Sequence, residues 1–108
     1  MIDTIYPKDL QALRDNGEGK KLLDVRNPEE FAEVHANGAV NIPLDQIEAE
    51  KVQQALDLSS DDTVYIICRS GRRSMVACQK LEGEGLENSF VNVEGGTLLW
   101  VQDGLPTG

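Results

Sequence analysis

The chain has 108 residues and a formal net charge of -9 at pH 7, and 27% of its residues are charged. Its length is that of one ordinary domain with a single hydrophobic core, so we expect one domain over residues 1–108. The acidic balance disfavours nucleic acid and anionic membrane surfaces as partners, and no apolar stretch reaches the roughly 20 residues that a membrane-spanning helix needs.

The first half of the chain alternates helical and strand patterns. A helix is predicted from Pro7 to a stop at Asn16-Gly17, followed by a buried strand in KKLLDV (20–25). The stretch NPEEFAEV (27–34) predicts a second helix, in which Asn27 is the cap and Glu30 completes a capping box. GAVNIP (38–43) is typical of a short strand.

The second half continues the alternation. LDQIEAEKVQQALDL (44–58) is mainly helical, TVYII (63–67) is a β-branched strand, and a helix from Ser74 to about Gly83 carries an apolar face. SFVNV (89–93) predicts another strand, and GGTLLWVQDG (95–104) predicts a glycine turn with a short apolar helix. Strands separated by helices indicate an α/β fold with a mostly parallel sheet.

This fold class predicts where chemistry occurs. Sites in open parallel sheets form beyond the carboxyl ends of the strands, so the residues that follow KLLDV and TVYII belong at that edge. Asp24, Arg26 and Cys68 are therefore expected to be neighbours.

The stretch CRSGRRS (68–74) joins a strand to a helix through a Gly-centred loop that holds three arginines. If the loop amides point inward, they form an anion-binding nest at the positive end of the following helix. Amides, helix dipole and the arginines Arg69, Arg72 and Arg73 would together favour the thiolate of Cys68. From the residues alone, an inert buried cysteine beside a solvated basic turn is the more common case, and that interpretation stays open.

Three segments resemble the rhodanese family: LLDVRNPEEFAEVHANGAVNIP, CRSGRRS and VNVEGGTLLWVQDGLP. The resemblance covers nearly the whole chain and implies a doubly wound, mostly parallel sheet of about five strands flanked by helices. It implies a sulfurtransferase in which Cys68 takes sulfane sulfur from a donor such as thiosulfate, holds it as a persulfide, and passes it to cyanide or another thiophilic acceptor. The matching active-site loop supplies the substrate-binding positions Arg69, Ser70, Gly71, Arg72 and Arg73.

Other polar residues are assigned supporting or structural roles. Asp24 is expected to be structural, Arg26 to pair with Glu30, and Ser74 to begin the helix after the loop. His35 is expected to be structural, because transfer to an ionised cysteine needs no base. Cys78 is expected to be a buried filler, and Trp100 to pack the last helix onto the sheet.

The expected mechanism is a double displacement in which Arg72 and Arg73 hold the oxyanion that leaves the donor. It requires neither a metal nor an organic cofactor, and the scattered cysteines and histidine make a metal site improbable. The stretch MIDTIYPKDL lacks the basic start and apolar run of a secretory leader, so we expect a cytoplasmic protein.

Two other functions stay open at this stage. A cysteine-dependent phosphatase or arsenate reductase would also use a cysteine in an amide nest, but the four residues between Cys68 and Arg73 make a smaller nest than the five of such phosphatases. A persulfide carrier or interaction module, which presents its loop to a protein sulfur acceptor, is the other alternative.

Overall fold

The computed structural model describes residues 2–108. Strands and helices alternate along most of the chain, with a 3-10 turn at Leu44–Gln46. The strands are Asp3–Ile5 (β1), Leu22–Asp24 (β2), Val40–Asn41 (β3), Thr63–Ile67 (β4) and Ser89–Val93 (β5). The helices are Pro7–Asp15 (α1), Pro28–Glu33 (α2), Ala49–Ala55 (α3), Arg72–Gly83 (α4) and Gly96–Gln102 (α5).

The five strands form one parallel sheet in the order β1-β5-β4-β2-β3. Because neighbouring strands run parallel, the chain must return to the same end of the sheet before each new strand begins. The helices supply most of these crossover connections. β4 lies at the centre of the sheet, so the residue that follows it emerges between the ends of β2 and β5.

Both faces of the sheet are buried. Along β4, Val64 and Ile66 belong to a core cluster with residues of α3 and α4, whereas Ile67 belongs to a second cluster on the opposite face. That second cluster contains Leu10 of α1 and Trp100 of α5, which confirms the predicted packing of the last helix. The α/β fold with a doubly wound parallel sheet is therefore as predicted.

Several boundaries differ from the sequence prediction. β1 was not predicted, and the helix after the loop begins at Arg72 rather than at Ser74. Gly71 makes the earlier start possible, because it adopts a left-handed φ of 108° as the residue that precedes the helix. The segment 44–58 is a 3-10 turn and a separate short helix. None of the helices between residues 2 and 108 has the length and hydropathy of a membrane-spanning segment.

Candidate active site

The carboxyl ends of β2, β4 and β5 converge at one edge of the sheet. Asp24 at the end of β2 is in register with Ile67 at the end of β4, and the Val25 amide donates to the Ile67 carbonyl over 3.0 Å. Cys68 follows Ile67 directly, so the predicted proximity of Asp24, Arg26 and Cys68 to this edge is confirmed.

The loop from Cys68 to Gly71 turns back on its own first side chain. The Gly71 amide donates to the Cys68 sulfur over 3.0 Å, and α4 begins at the next residue. Cys68 itself is buried, at 1% exposure, while Arg69 and Ser70 are exposed at the rim. The sulfur therefore lies at the bottom of the loop, facing the amino-terminal end of α4.

The start of α5 holds the other side of the loop. The Thr97 amide and hydroxyl both donate to the Cys68 carbonyl, over 2.8 and 3.0 Å, and the Leu98 amide donates to the Arg69 carbonyl over 3.1 Å. A Cβ added to Gly96 would clash with the Cys68 carbonyl oxygen and would lie 2.6 Å from the Arg69 carbonyl oxygen. This glycine is required because the two backbones approach too closely for a side chain.

The surroundings of Cys68 lower its pKa. Burial is the largest single effect and raises the pKa of the thiol, but hydrogen bonds from the Ser74 side chain and from the amides of Ser74, Gly71 and Ser70 together outweigh it. The net result is a pKa below the ordinary value of 9.0. The loop amides thus act as predicted, whereas the arginines are not the principal cause.

The side chains of Asn92 and Ser74 form a chain of contacts that ends at the Cys68 sulfur. The Ser74 hydroxyl lies 3.4 Å from the Cys68 sulfur and also donates a short hydrogen bond to Oδ1 of Asn92 on β5. Both Ser74 and Asn92 are buried. Sequence reasoning missed Asn92, although a lone amide within the apolar strand SFVNV was a signal that could have found it.

Asp24 and Arg26, at the end of β2, pair with each other, which differs from the prediction. Asp24 accepts three hydrogen bonds from the Arg26 guanidinium at 2.8 to 3.0 Å, and both residues are buried. The prediction that Arg26 pairs with the Glu30 side chain is therefore wrong. A buried guanidinium requires a buried carboxylate, and Asp24 supplies it. Arg26 also donates to the carbonyls of Glu30 and Val34, which anchors the short helix α2.

Glu30 is instead paired with Arg73. Two hydrogen bonds of 2.7 and 2.9 Å join its carboxylate to the Arg73 guanidinium, and the same carboxylate caps α2 at the Asn27 amide. The Arg73 hydrogen bond is the main reason that the pKa of Glu30 falls to about 2. Arg73 is thus tied to α2, while Arg69 and Arg72 are exposed and form no ion pair within residues 2–108.

A cleft of about 360 Å³ lies beside the loop, between α2 and α5. Its apolar wall is formed by Val34, Leu98 and Val101, and Arg69 lies at one side of it. Leu98 and Val101 are about half exposed. The cleft beside the loop therefore combines an apolar wall with charged residues of both signs, among them Arg69, Glu30 and Glu33.

Within residues 2–108, the side chains of the remaining candidates, His35 and Cys78, form no hydrogen bond to the Cys68 loop and have other surroundings. His35 stacks on Phe31 with ring centroids 3.7 Å apart, and its Nδ1 lies 2.7 Å from the Phe31 carbonyl. Cys78 is buried within α4, where burial raises its pKa to about 12. Over residues 2–108, no group of three His, Cys, Asp or Glu side chains could hold a metal ion.

Comparison with known proteins gives consistent matches. Residues 6–103 match the family described as "Rhodanese-like domain". Thiosulfate sulfurtransferase 16, chloroplastic, of Arabidopsis thaliana is 34% identical over 97 residues, which cover 82% of this chain and 80% of that protein. The putative sulfur carrier protein YrkF of Bacillus subtilis is 38% identical over 86 residues, covering 80% of this chain and 44% of that protein.

Solved structures match as well. The crystal structure of a rhodanese-like domain protein from Staphylococcus aureus superposes with a TM-score of 0.74 and 28% identity, over 91% of this chain and 90% of that one. The chain spans 55% or less of the length of the first curated relatives that it matches.

Proposed function

The chain belongs to the rhodanese-like domain family, and from this premise we propose that it is a sulfurtransferase that carries sulfur as a persulfide on Cys68. The observation that supports the proposal most directly is the hydrogen bonding of the Cys68 sulfur. The Cys68 sulfur is buried and accepts hydrogen bonds from the Gly71 amide and the Ser74 hydroxyl at the start of α4. These hydrogen bonds stabilise the thiolate, which is the nucleophilic form.

In the first half of the cycle, the thiolate attacks the outer sulfur of a donor such as thiosulfate. A new S–S bond forms to Cys68, the S–S bond of the donor breaks, and sulfite leaves with the electron pair of that bond. The loop amides and the start of α4 then stabilise the negative charge of the terminal sulfur. The name of the Arabidopsis relative supports thiosulfate as the donor.

We propose that Arg72 and Arg69 attract the anionic donor. Both are exposed beside the loop, and a guanidinium suits the oxygens of a sulfonate-like group. Arg73 was also expected to hold the donor, but Glu30 already occupies its guanidinium. Any contact of Arg73 with the donor therefore competes with its ion pair to Glu30. We accordingly expect Arg73 to contribute less than Arg72 to binding of the donor.

In the second half, an acceptor attacks the outer sulfur of the persulfide and restores the Cys68 thiolate. Cyanide would leave as thiocyanate, and a protein thiophile would leave with the sulfur attached. No metal or organic cofactor takes part in this cycle. Each turn starts from a free thiol, so the proposal places the protein in a reducing compartment such as the cytoplasm.

The decisive experiment measures intact mass after treatment with thiosulfate. We expect an increase of one sulfur atom, carried by the peptide that contains Cys68, and loss of that increase when cyanide is added. Cys68→Ser is expected to abolish both the mass change and thiosulfate:cyanide turnover, whereas Cys78→Ser, the matched control, keeps most of the turnover. Equal loss in two well-folded variants would contradict the assignment of Cys68.

A persulfide carrier is the second candidate function, and the match to a putative sulfur carrier protein supports it. The exposed Arg69 and Leu98 beside the loop would then face a protein acceptor. A carrier is expected to acquire sulfur on Cys68 yet turn over slowly with cyanide and quickly with a protein acceptor. Efficient hydrolysis of aryl phosphates without any sulfur on Cys68 would instead favour the phosphatase alternative.

A further inference from the structure

The hydroxyl of Ser74 has one hydrogen and two acceptors within reach. Its oxygen donates to Asn92 Oδ1 on β5 and lies 3.4 Å from the Cys68 sulfur. All three side chains are buried, at 0%, 2% and 1% exposure for Ser74, Asn92 and Cys68. Water therefore does not compete for this hydrogen, and its position depends on these two partners.

The Ser74 hydroxyl is directed toward a neighbouring element of the fold. Ser74 is the third residue of α4, so no full helical turn precedes it, and its hydroxyl donates to a side chain on β5. Here Asn92 draws the hydroxyl toward the sheet and keeps its oxygen beside the sulfur. Asn92 lies on the same face of β5 as Phe90, which packs in the core cluster beneath α4.

We propose that Asn92 is a positioning residue for the proposed sulfur chemistry, acting on Cys68 only through the Ser74 hydroxyl. While the sulfur is neutral, the hydroxyl donates to Asn92. When the sulfur becomes a thiolate or a persulfide anion, the hydroxyl rotates and donates to it, because a hydrogen bond to a charged acceptor is the stronger one. Without Asn92, nothing on β5 holds the Ser74 hydroxyl beside the sulfur, and this donor is lost.

The charged groups around Cys68 must be kept constant in any test. They are Arg69 and Arg72 of the loop, Arg73 on α4 with its partner Glu30 on α2, the Asp24–Arg26 pair after β2, and the exposed Glu94 after β5. Replacing Ser74 or Asn92 by an uncharged residue changes none of these charges. A shift in the ionisation of Cys68 then reports the hydrogen bond alone.

The test is a double-mutant cycle on the rate of alkylation of Cys68 by iodoacetamide, followed by mass on the peptide that contains it across a series of pH values. Ser74→Ala and Asn92→Ala are each expected to raise the apparent pKa and to slow alkylation at neutral pH by about three- to tenfold. In the Ser74→Ala background, Asn92→Ala is expected to have no further effect. Ser89→Ala, an exposed change on the same strand as Asn92, is expected to resemble the wild type.

Additive effects of the two substitutions, or an unchanged profile in Asn92→Ala, would overturn the proposal. Asn92→Leu, which has a similar shape and no acceptor, replaces Asn92→Ala if the smaller residue prevents folding. Alkylation requires no sulfur donor. The cycle therefore tests the link between Asn92 and Ser74 even if Cys68 never acquires sulfur, which would refute the proposed function but not this inference.

Discussion

The pair between Glu30 and Arg73 offers the most quantitative test of the site's architecture. It joins α2 to the first turn of α4, and it connects residues 43 positions apart in the chain. Glu30→Gln removes the charge from this pair while keeping an oxygen that can accept the hydrogen bond from the Asn27 amide, since glutamine also serves in capping boxes. The substitution therefore isolates the interaction with Arg73.

The size of the effect follows from the pKa of Glu30. A fall from the ordinary 4.5 to about 2 corresponds to at most about 3 to 4 kcal/mol of stability, at about 1.36 kcal/mol for each unit. The Arg73 and Glu30 side chains are 33% and 27% exposed, so solvent and salt screen the pair. We therefore expect Glu30→Gln to lower the free energy of unfolding by about 1 to 1.5 kcal/mol at pH 7.

The stabilisation by the Glu30–Arg73 pair depends on pH in a defined direction. Because folding lowers this pKa, the stabilisation is fully present above about pH 4.5 and is lost as the pH falls toward about 2. Urea unfolding at pH 7, 4 and 3 is expected to give a difference in the free energy of unfolding between the wild type and Glu30→Gln, and this difference is expected to decrease as the pH falls. Glu33→Gln, on the exposed side of the same helix, is the matched control. A difference in the free energy of unfolding that does not depend on pH, or that equals the difference for Glu33→Gln, would refute the stabilising role of the Glu30–Arg73 pair.

Three further predictions concern the loop and its supports. Arg72→Ala is expected to raise KM for thiosulfate by about tenfold or more through loss of a charge-assisted contact, and steady-state kinetics that match the wild type would exclude that role. Gly96→Ala is expected to lower the melting temperature and sulfur transfer more than Gly104→Ala, since both glycines have positive φ but only Gly96 is crowded by the loop backbone. Cys78→Ala is expected to reduce stability by about 1 kcal/mol without changing the pH profile of Cys68 alkylation, and a changed profile would argue against its role as a filler.

The features that could be predicted from the sequence are those set by local patterns. The β-branched run TVYII predicts a buried strand, and Asn27 with Glu30 predicts the start of α2; both are present. The position of Cys68 after the central strand follows from the parallel arrangement, because sites form at the carboxyl ends of such strands. These inferences need only neighbouring residues and one rule of topology.

The features that could not be predicted depend on partners distant in sequence. β1 is a largely exposed strand of three residues, and its pairing with β5 rather than its own composition makes it a strand. The capping box identified Glu30 but could not identify Arg73 as its ion-pair partner. Thr97 and Asn92 reach the loop from other elements, so their roles emerge only when the chain is folded.

The bonds from Thr97 and Leu98 to the carbonyls of Cys68 and Arg69 have a consequence for the ribosome-bound chain. The segment that holds the loop in shape begins 29 residues after the cysteine, at Thr97, and β5, which adjoins the central strand, also follows the cysteine in the chain. During synthesis the Cys68 thiol therefore emerges before β5 and α5 can pack against the loop. The unfinished chain carries Cys68 as an ordinary thiol, which acquires its lowered pKa only when folding is nearly complete.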